Sequence, residues 1–244
     1  AMDKTKDTQM SYLILGSGGL GGALAHELAS RGEEWLLAGR QLPKGLDPAC
    51  YFPLQEVDPL SFDALFTLYD TATLPNVVIN TIGLLHDLSH MPERRVEEVT
   101  PQWLGESLQA NAWPHLALGA SLSRLMTFES RLWLCTLSDL AGSLDEAHRE
   151  PVRRYSYRMS KAALNMGSRI LAAEWAERFP GAGVITVHPG LMDTPMQQPF
   201  RQEIDPALLQ DPALVAPQLL DLLASLTQAH SGRFVDLRGQ PLPW

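Results

Sequence analysis

Cysteine is scarce in this chain: 244 residues carry two, Cys50 and Cys135. So few thiols, each amid apolar neighbours, argue against a disulfide scaffold. They predict reduced core residues of a cytoplasmic protein, with a single bridge as the alternative. Long apolar runs are also missing, since no stretch reaches the ~18 residues that a membrane span needs. Positive charge is in deficit: 19 Lys and Arg face 28 Asp and Glu, and the net charge of −9 argues against a nucleic-acid surface. No Ser/Gly-rich linker, repeat or low-complexity block divides the chain. Residues 1–10 are expected to form a polar tail with no secretory signal. Ala1 ahead of Met2 reads as a tag-cleavage remnant, with the native start at Met2 or Met10. The length alone allows one domain or two small ones. The uninterrupted remainder, 11–244, is expected to be a single dinucleotide-binding domain, and 45% hydrophobic residues suffice for its core.

What is present alternates between two periods. Short apolar strands are expected at about 12–16, 35–39, 49–53, 76–80, 131–137, 183–188 and 233–236. Helices are expected at about 19–31, 59–69, 101–127, 155–179 and 212–228. Asp58-Pro59 is a good helix start, an N-cap followed by proline. This alternation predicts an α/β fold: one doubly wound Rossmann-type domain with about seven parallel strands and helices on both faces.

The most informative stretch is Tyr157-Arg-Met-Ser-Lys161. Positions i and i+4 lie side by side on a helix, so phenol and ammonium can act as one unit. A free tyrosine, with a pKa near ~10, serves poorly in neutral-pH proton transfer, and a nearby cation is expected to lower that value. The pair gains weight from the chain's opening. Gly16, Gly18 and Gly21, with Ser17, Gly19 and Leu20 between them, fit G-x-G-x-x-G between a strand and a helix. Such glycines allow a tight turn and close backbone approach, and the helix N-terminus attracts a pyrophosphate.

With both ends in view the chain resembles the short-chain dehydrogenase/reductase family from about Tyr12 to Trp244. Asn80-Thr81-Ile82-Gly83 is similar to the family's Asn-Asn-Ala-Gly after the fourth strand. Asn111 stands where the family has its helix asparagine, and Pro189-Gly190 follows the sixth strand. The resemblance is closest to the C-factor-like branch of carbonyl reductases. It is carried by Gly83-Leu-Leu-His-Asp87, Pro92-Glu93-Arg94, Tyr155-Ser-Tyr157-Arg158, His188-Pro-Gly190 and the Gly232-Arg-Phe-Val-Asp236…Pro243-Trp244 ending. It implies hydride transfer between a nicotinamide and a carbonyl or alcohol of small or medium size. Tyr157 would be the proton donor, Lys161 would hold the nicotinamide ribose, Ser138 would polarise the substrate oxygen, and Asn111 would position Lys161. Gly16 to Gly21, Gln55, Asn80 to Gly83, Tyr157, Lys161, Pro189, Gly190, Met192 and Thr194 are implied to line the cofactor. A homodimer or homotetramer is expected, from apolar residues on more than one face of the long helices at 101–127 and 155–179.

The second strand ends at Gly39 with no acid for a ribose 2′-hydroxyl, and Arg40 follows. This favours NADP(H), with NAD(H) possible. One departure concerns the substrate-polarising group. Aligned without a gap, Thr136-Leu-Ser138-Asp139 puts Asp139 at the family's serine position. The C-factor-like branch carries its serine one residue earlier, and the expectation is therefore Ser138. The alternative to an enzyme is a non-catalytic dinucleotide-binding sensor or signalling protein on the same fold. No metal is expected: His86 and His90 are four apart with no third ligand at suitable spacing. His188 reads as a satisfied structural residue, and residues 191–204, mixing Met, Phe and Pro, as a cover over the substrate.

Overall fold

The computed structural model describes residues 9–146 and 153–244; most of the expected 1–10 tail lies outside them. Seven strands form one parallel sheet: β1 (Ser11–Leu15), β2 (Glu34–Gly39), β3 (Tyr51–Pro53), β4 (Val77–Asn80), β5 (Trp133–Leu137), β6 (Gly183–His188) and β7 (Arg233–Asp236). Their spatial order is β3-β2-β1-β4-β5-β6-β7. Successive side chains leave opposite faces of a strand, and here both faces are buried. Tyr12 and Ile14 enter one apolar cluster, with Leu24, Leu28, Val215 and Leu219. Leu13 and Leu15 enter the other, with Phe62, Leu65, Leu118, Leu122 and Trp175.

Helices α1 (Gly19–Arg31) and α6 (Pro212–Ala224) cover the first face, and α2 (Pro59–Phe66), α4 (Trp113–Leu125) and α5 (Tyr155–Arg178) supply residues to the second. Asp58 caps α2 as expected, accepting from Ser61 N. The expected helix at 101–127 is two helices. α3 (Pro101–Asn111) ends just before α4, which has Pro114 in its first turn. Proline lacks the N–H that would continue the ladder, and its ring clashes with the carbonyl four residues back. Asn111 consequently sits at the last turn of α3, at a helix break. Of the apolar residues on α5 behind the expected oligomer, Leu164, Leu171 and Trp175 are buried within this chain, and Ile170 is exposed. Cys50 and Cys135 are both free thiols. Among the described residues no helix is long and apolar enough to cross a membrane.

Candidate active site

The glycine turn begins where β1 ends. Gly16 takes a left-handed φ of +95°, and its N–H donates to Ala38 O at 2.8 Å, tying the turn to β2. A Cβ on Gly21 would stand 1.8 Å from Gly16 O, so helix and turn touch backbone to backbone. Gly18 differs, because a Cβ there would meet nothing within 4 Å. It is the N-cap of α1, with no side-chain cap and no acid in the first turn. The chain thus leaves open space at Gly18 where α1 begins without a cap, the setting in which a helix N-terminus holds an anion. Leu20 is buried in the core, so only its backbone is available to a ligand. Ser17 Oγ accepts from Gln41 N at 3.2 Å, and Gln55 donates to Arg40 O at 3.1 Å. Arg40 is exposed at the end of β2.

The turn leads on to β4. Thr81 Oγ1 donates to Leu15 O at 2.8 Å, and Ile82 N donates to Asn80 Oδ1 at 3.1 Å. Asn80 Nδ2 reaches Thr136 on β5 at 3.2 Å. A Cβ on Gly83 would lie 3.7 Å from Lys161 Nζ and 3.5 Å from Met196 Cε, so the glycine turn, β4 and α5 meet at one edge. Asn111 clamps the same loop. Its Oδ1 accepts from Leu84 N at 2.7 Å, while its Nδ2 donates to Leu84 O and Ser160 Oγ, both at 2.8 Å. Beyond β6, Gln210 Nε2 donates to Pro189 O, Gly190 takes φ +80°, and Met192 bridges to Gln210. Thr194 closes against Gly19, whose Cβ would stand 2.6 Å from Thr194 Cγ2.

Around Tyr157 and Lys161 the structure departs from expectation. Tyr157 OH donates to Asp139 Oδ2 at 2.9 Å, whereas Ser138 Oγ turns away and donates to Asn165 Oδ1 at 2.6 Å. Ser138 extends the β5 ladder through its N–H to Val187 O and is 4% exposed; Asp139 begins the next turn, accepting from Ala141 N at 2.9 Å. The ungapped alignment was the correct guide to which side chain meets the tyrosine. The electrostatics also reverse. Burial pushes the Tyr157 phenol well above its ordinary value, and the charge of Asp139 and its hydrogen bond push the same way. Arg154 pulls the other way but does not outweigh them, and Lys161 is turned elsewhere: its Nζ donates to Leu137 O at 3.2 Å and lies 5.8 Å from the phenol ring centre. Burial drives Lys161 down to about 8, against the pull of Asp139. Burial also pushes Asp139 up, but His188, the Ala141 N–H, Tyr157 and Lys161 outweigh it and keep the carboxyl below its usual range.

Several neighbours were missed by sequence reasoning. Asn165 stands four residues beyond Lys161 on α5, so the helical period could have revealed it. His188 is not satisfied: its Nδ1 is buried with no hydrogen-bond partner among the described residues, 3.9 Å from Asp139 Oδ1. Met196 and Phe200, from the expected cover, pack with Leu85, Ala141 and Tyr157. His86 belongs to this wall, bonded to Met196 O at 3.1 Å. His90 has carboxylate neighbours without His86: Asp87 and Glu106 place ligand atoms within 4.8 Å of it and of each other. Glu106 comes from α3, a contact that spacing could not show. His90 Nδ1 is already engaged by Asp87 at 3.1 Å, and the cluster carries no metal assignment.

No family model matches the chain. C-signal of Myxococcus xanthus is 37% identical over 94 residues, covering 37% of this chain and 49% of that protein. The match thus spans about half the length of that relative. Among solved structures, the carbonyl reductase Sniffer of D. melanogaster shares 22% identity, with a TM-score of 0.79 over 97% of this chain and 100% of that one. The NADPH-bound carbonyl reductase from chicken fatty liver shares 22% identity, with a TM-score of 0.78 over 96% and 99%. A 3-oxoacyl-[acyl-carrier protein] reductase with bound NAD from Brucella melitensis shares 21%, with a TM-score of 0.70 over 94% and 90%. The chain has the short-chain dehydrogenase/reductase fold, and its resemblance is to the C-factor-like, carbonyl-reductase branch of that family.

Proposed function

We propose that the protein is an oxidoreductase that moves hydride between NADP(H) and a polar carbon–heteroatom bond, the carbonyl/alcohol couple being the class that the resemblance implies. The observation that carries this reading is the Tyr157–Lys161 pair on α5, reached from the Gly16–Gly21 turn through Thr81 and Gly83. The residues suit the cofactor. The open N-terminus of α1 at Gly18 would take the pyrophosphate, and exposed Arg40 would take a 2′-phosphate. NAD(H) remains the weaker partner in this reading. Asn80 to Gly83, Pro189 to Thr194 and Lys161 would border the nicotinamide end, and the reduced nicotinamide supplies the hydride when bound. Tyr157, kept neutral far above its ordinary pKa, is the group with a proton to give. Asn111 acts at one remove, fixing Leu84 and Ser160 so that the loop and α5 hold their spacing.

Two partners belong to the proposal. The substrate is small or medium and partly apolar, matching the Leu85, Met196 and Phe200 wall. The other is a second copy of the chain, paired through exposed Trp113 and Leu116 on α4 with Met166 and Ile170 on α5; light scattering reads that state. The deciding experiment follows NADPH oxidation over a panel of carbonyl and imine compounds, with Tyr157→Phe as comparison. Turnover that falls about 100-fold or more in the variant, with NADPH binding intact, is the expected result. Turnover unchanged in Tyr157→Phe would refute the assignment. NADPH binding without any turnover would favour the sensor reading, to which the ionised Asp139 beside the phenol lends its own support.

A further inference from the structure

A carbonyl reduced by hydride gathers negative charge on its oxygen, and a site for that step presents donors or cations there. This site presents the opposite. The group bonded to Tyr157 is the Asp139 carboxylate, 2.9 Å from the phenol oxygen and held ionised. The neighbouring hydroxyl, Ser138, is spent on Asn165 inside the core. The nearby cations do not take its place. Lys161 is 5% exposed with its ammonium turned to Leu137 O, whereas the Asp139 side chain is 20% exposed. Arg154 acts through space on the phenol and Arg158 on Asp139, and His188 Nδ1 lies 3.9 Å from the other carboxylate oxygen. The charge bonded directly to the phenol is therefore negative. A carboxylate a few ångströms from a developing oxyanion costs on the order of 100-fold in rate.

The sign suits a different substrate. A protonated carbon–nitrogen double bond enters as a cation with an N–H to donate and leaves as a neutral amine. We propose that the bond reduced here is an iminium C=N, its N–H donating to Asp139 and its ring or chain lying on Leu85, Met196 and Phe200. This rests on the reading of the chain as a nicotinamide-dependent oxidoreductase, and narrows its substrate class. The carboxylate raises the fraction of bound imine that is protonated, the form whose carbon accepts hydride. In the step the iminium carbon takes a hydride from a reduced nicotinamide, the C=N π pair becomes the lone pair of the amine nitrogen, and the dihydronicotinamide becomes its oxidised cation. With a substrate already protonated the phenol keeps its proton and its bond to Asp139, orienting the carboxylate; the proton transfer from Tyr157 assigned above serves a neutral carbonyl or imine.

Like-sized pairs test this: 2-methyl-1-pyrroline against cyclopentanone, and 3,4-dihydroisoquinoline against 1-tetralone, each with NADPH. The imine of each pair is expected to exceed the ketone about 100-fold in kcat/KM. Asp139→Ser restores a donor without charge and should invert that ratio, gaining ketone reduction. Asp139→Asn keeps an oxygen for the Ala141 N–H, so it should fold and lose the imine preference; thermal melts of both variants confirm folding. A second arm needs no cofactor. Calorimetry of pyrrolidinium and cyclopentanol should show the cation binding, weakened about tenfold or more in Asp139→Asn, with the alcohol indifferent. Ketones preferred by the wild type, a ratio unmoved by either variant, or cation binding unmoved by Asp139→Asn would each overturn the inference. If pyrrolidinium binding depends on Asp139 but no compound is reduced, the cation site stands and the oxidoreductase reading falls.

Discussion

The glycine turn after β1 and the side chains around the start of α5 sit at the same edge of the sheet, yet they obey their expected patterns unequally. In the turn, the room for a side chain is set by close neighbours: Gly21 against the backbone Gly16 O, Gly16 against the Thr81 hydroxyl at a left-handed φ, Gly18 against nothing. Beside Tyr157 the expected hydroxyl has been displaced by a carboxylate. A turn that receives a dinucleotide is fixed by the shape of the backbone, which does not change with the reaction. A group beside the reacting atoms is fixed by the charge that the reaction develops. The first can be carried over from a motif, and the second has to be seen in place.

The sharpest way to break this contrast is at the turn. Gly21→Ala should cost at least about 3 kcal/mol of stability, because its Cβ would collide with a carbonyl oxygen that cannot rotate away. Gly18→Ala should cost about 1 kcal/mol or less, since alanine is a poorer N-cap than glycine but its methyl meets no neighbour. It should nonetheless weaken NADPH binding about tenfold, since its methyl would fill the space left for the ligand. Paired melting curves and fluorescence titrations decide; equal losses of stability would show that the turn is not steric in this sense.

Lys161 comes next. Its fall from 10.5 to about 8 means the folded protein holds the proton more weakly than the unfolded chain. Between those pH values the unfolded state binds more protons, so this group makes stability rise with pH across about 8 to 10.5. At 1.4 kcal/mol per tenfold change in proton affinity the full rise is about 3 kcal/mol. Denaturant melts of Lys161→Met should lack it, whereas a rise that survives in the variant belongs to other groups.

A smaller effect is expected at Arg40. Its removal to alanine should weaken NADPH about tenfold and leave NADH unchanged. Smallest is Ser138→Ala. Asn165 Oδ1 loses its donor, worth about 1 to 2 kcal/mol of stability, and turnover should stay within about threefold of wild type. A turnover loss of about 100-fold would return Ser138 to the reacting atoms and erase the contrast drawn here.

Much of the fold was legible because its signals are local. The seven strands, the α2 cap at Asp58 and the spacing of Tyr157 and Lys161 follow from periods of two and 3.6 and from the turn residues. The break at Asn111 was also written locally, in Pro114, and was overridden by the apolar run around it. The site was less legible because its assignments depend on which neighbour a side chain finds. Ser138 and Asp139 are adjacent, and only the course of the chain beyond β5 decides which turns to Asn165 and which to Tyr157. His188 looked satisfied in sequence because its neighbour at 3.9 Å lies on a different strand's end. Glu106 was invisible beside His90 for the same reason.

Helix α5 opens on Arg154, which sits at φ +65° and offers no side-chain cap. Its first turn is closed instead by Glu93, a buried carboxylate that accepts from Ser156 N at 3.3 Å and from Ser156 Oγ, 63 residues away in the chain. The Arg154 N–H also donates to Glu93 O at 2.7 Å. Where the helix starts is thus a long-range decision. A start displaced by one residue would swing Tyr157 about 100° around the helix axis and away from Asp139. The loop after β4 therefore works as a clocking pin. It fixes the angular setting of the phenol from a distance, through a carboxylate that bonds Ser156 and not Tyr157.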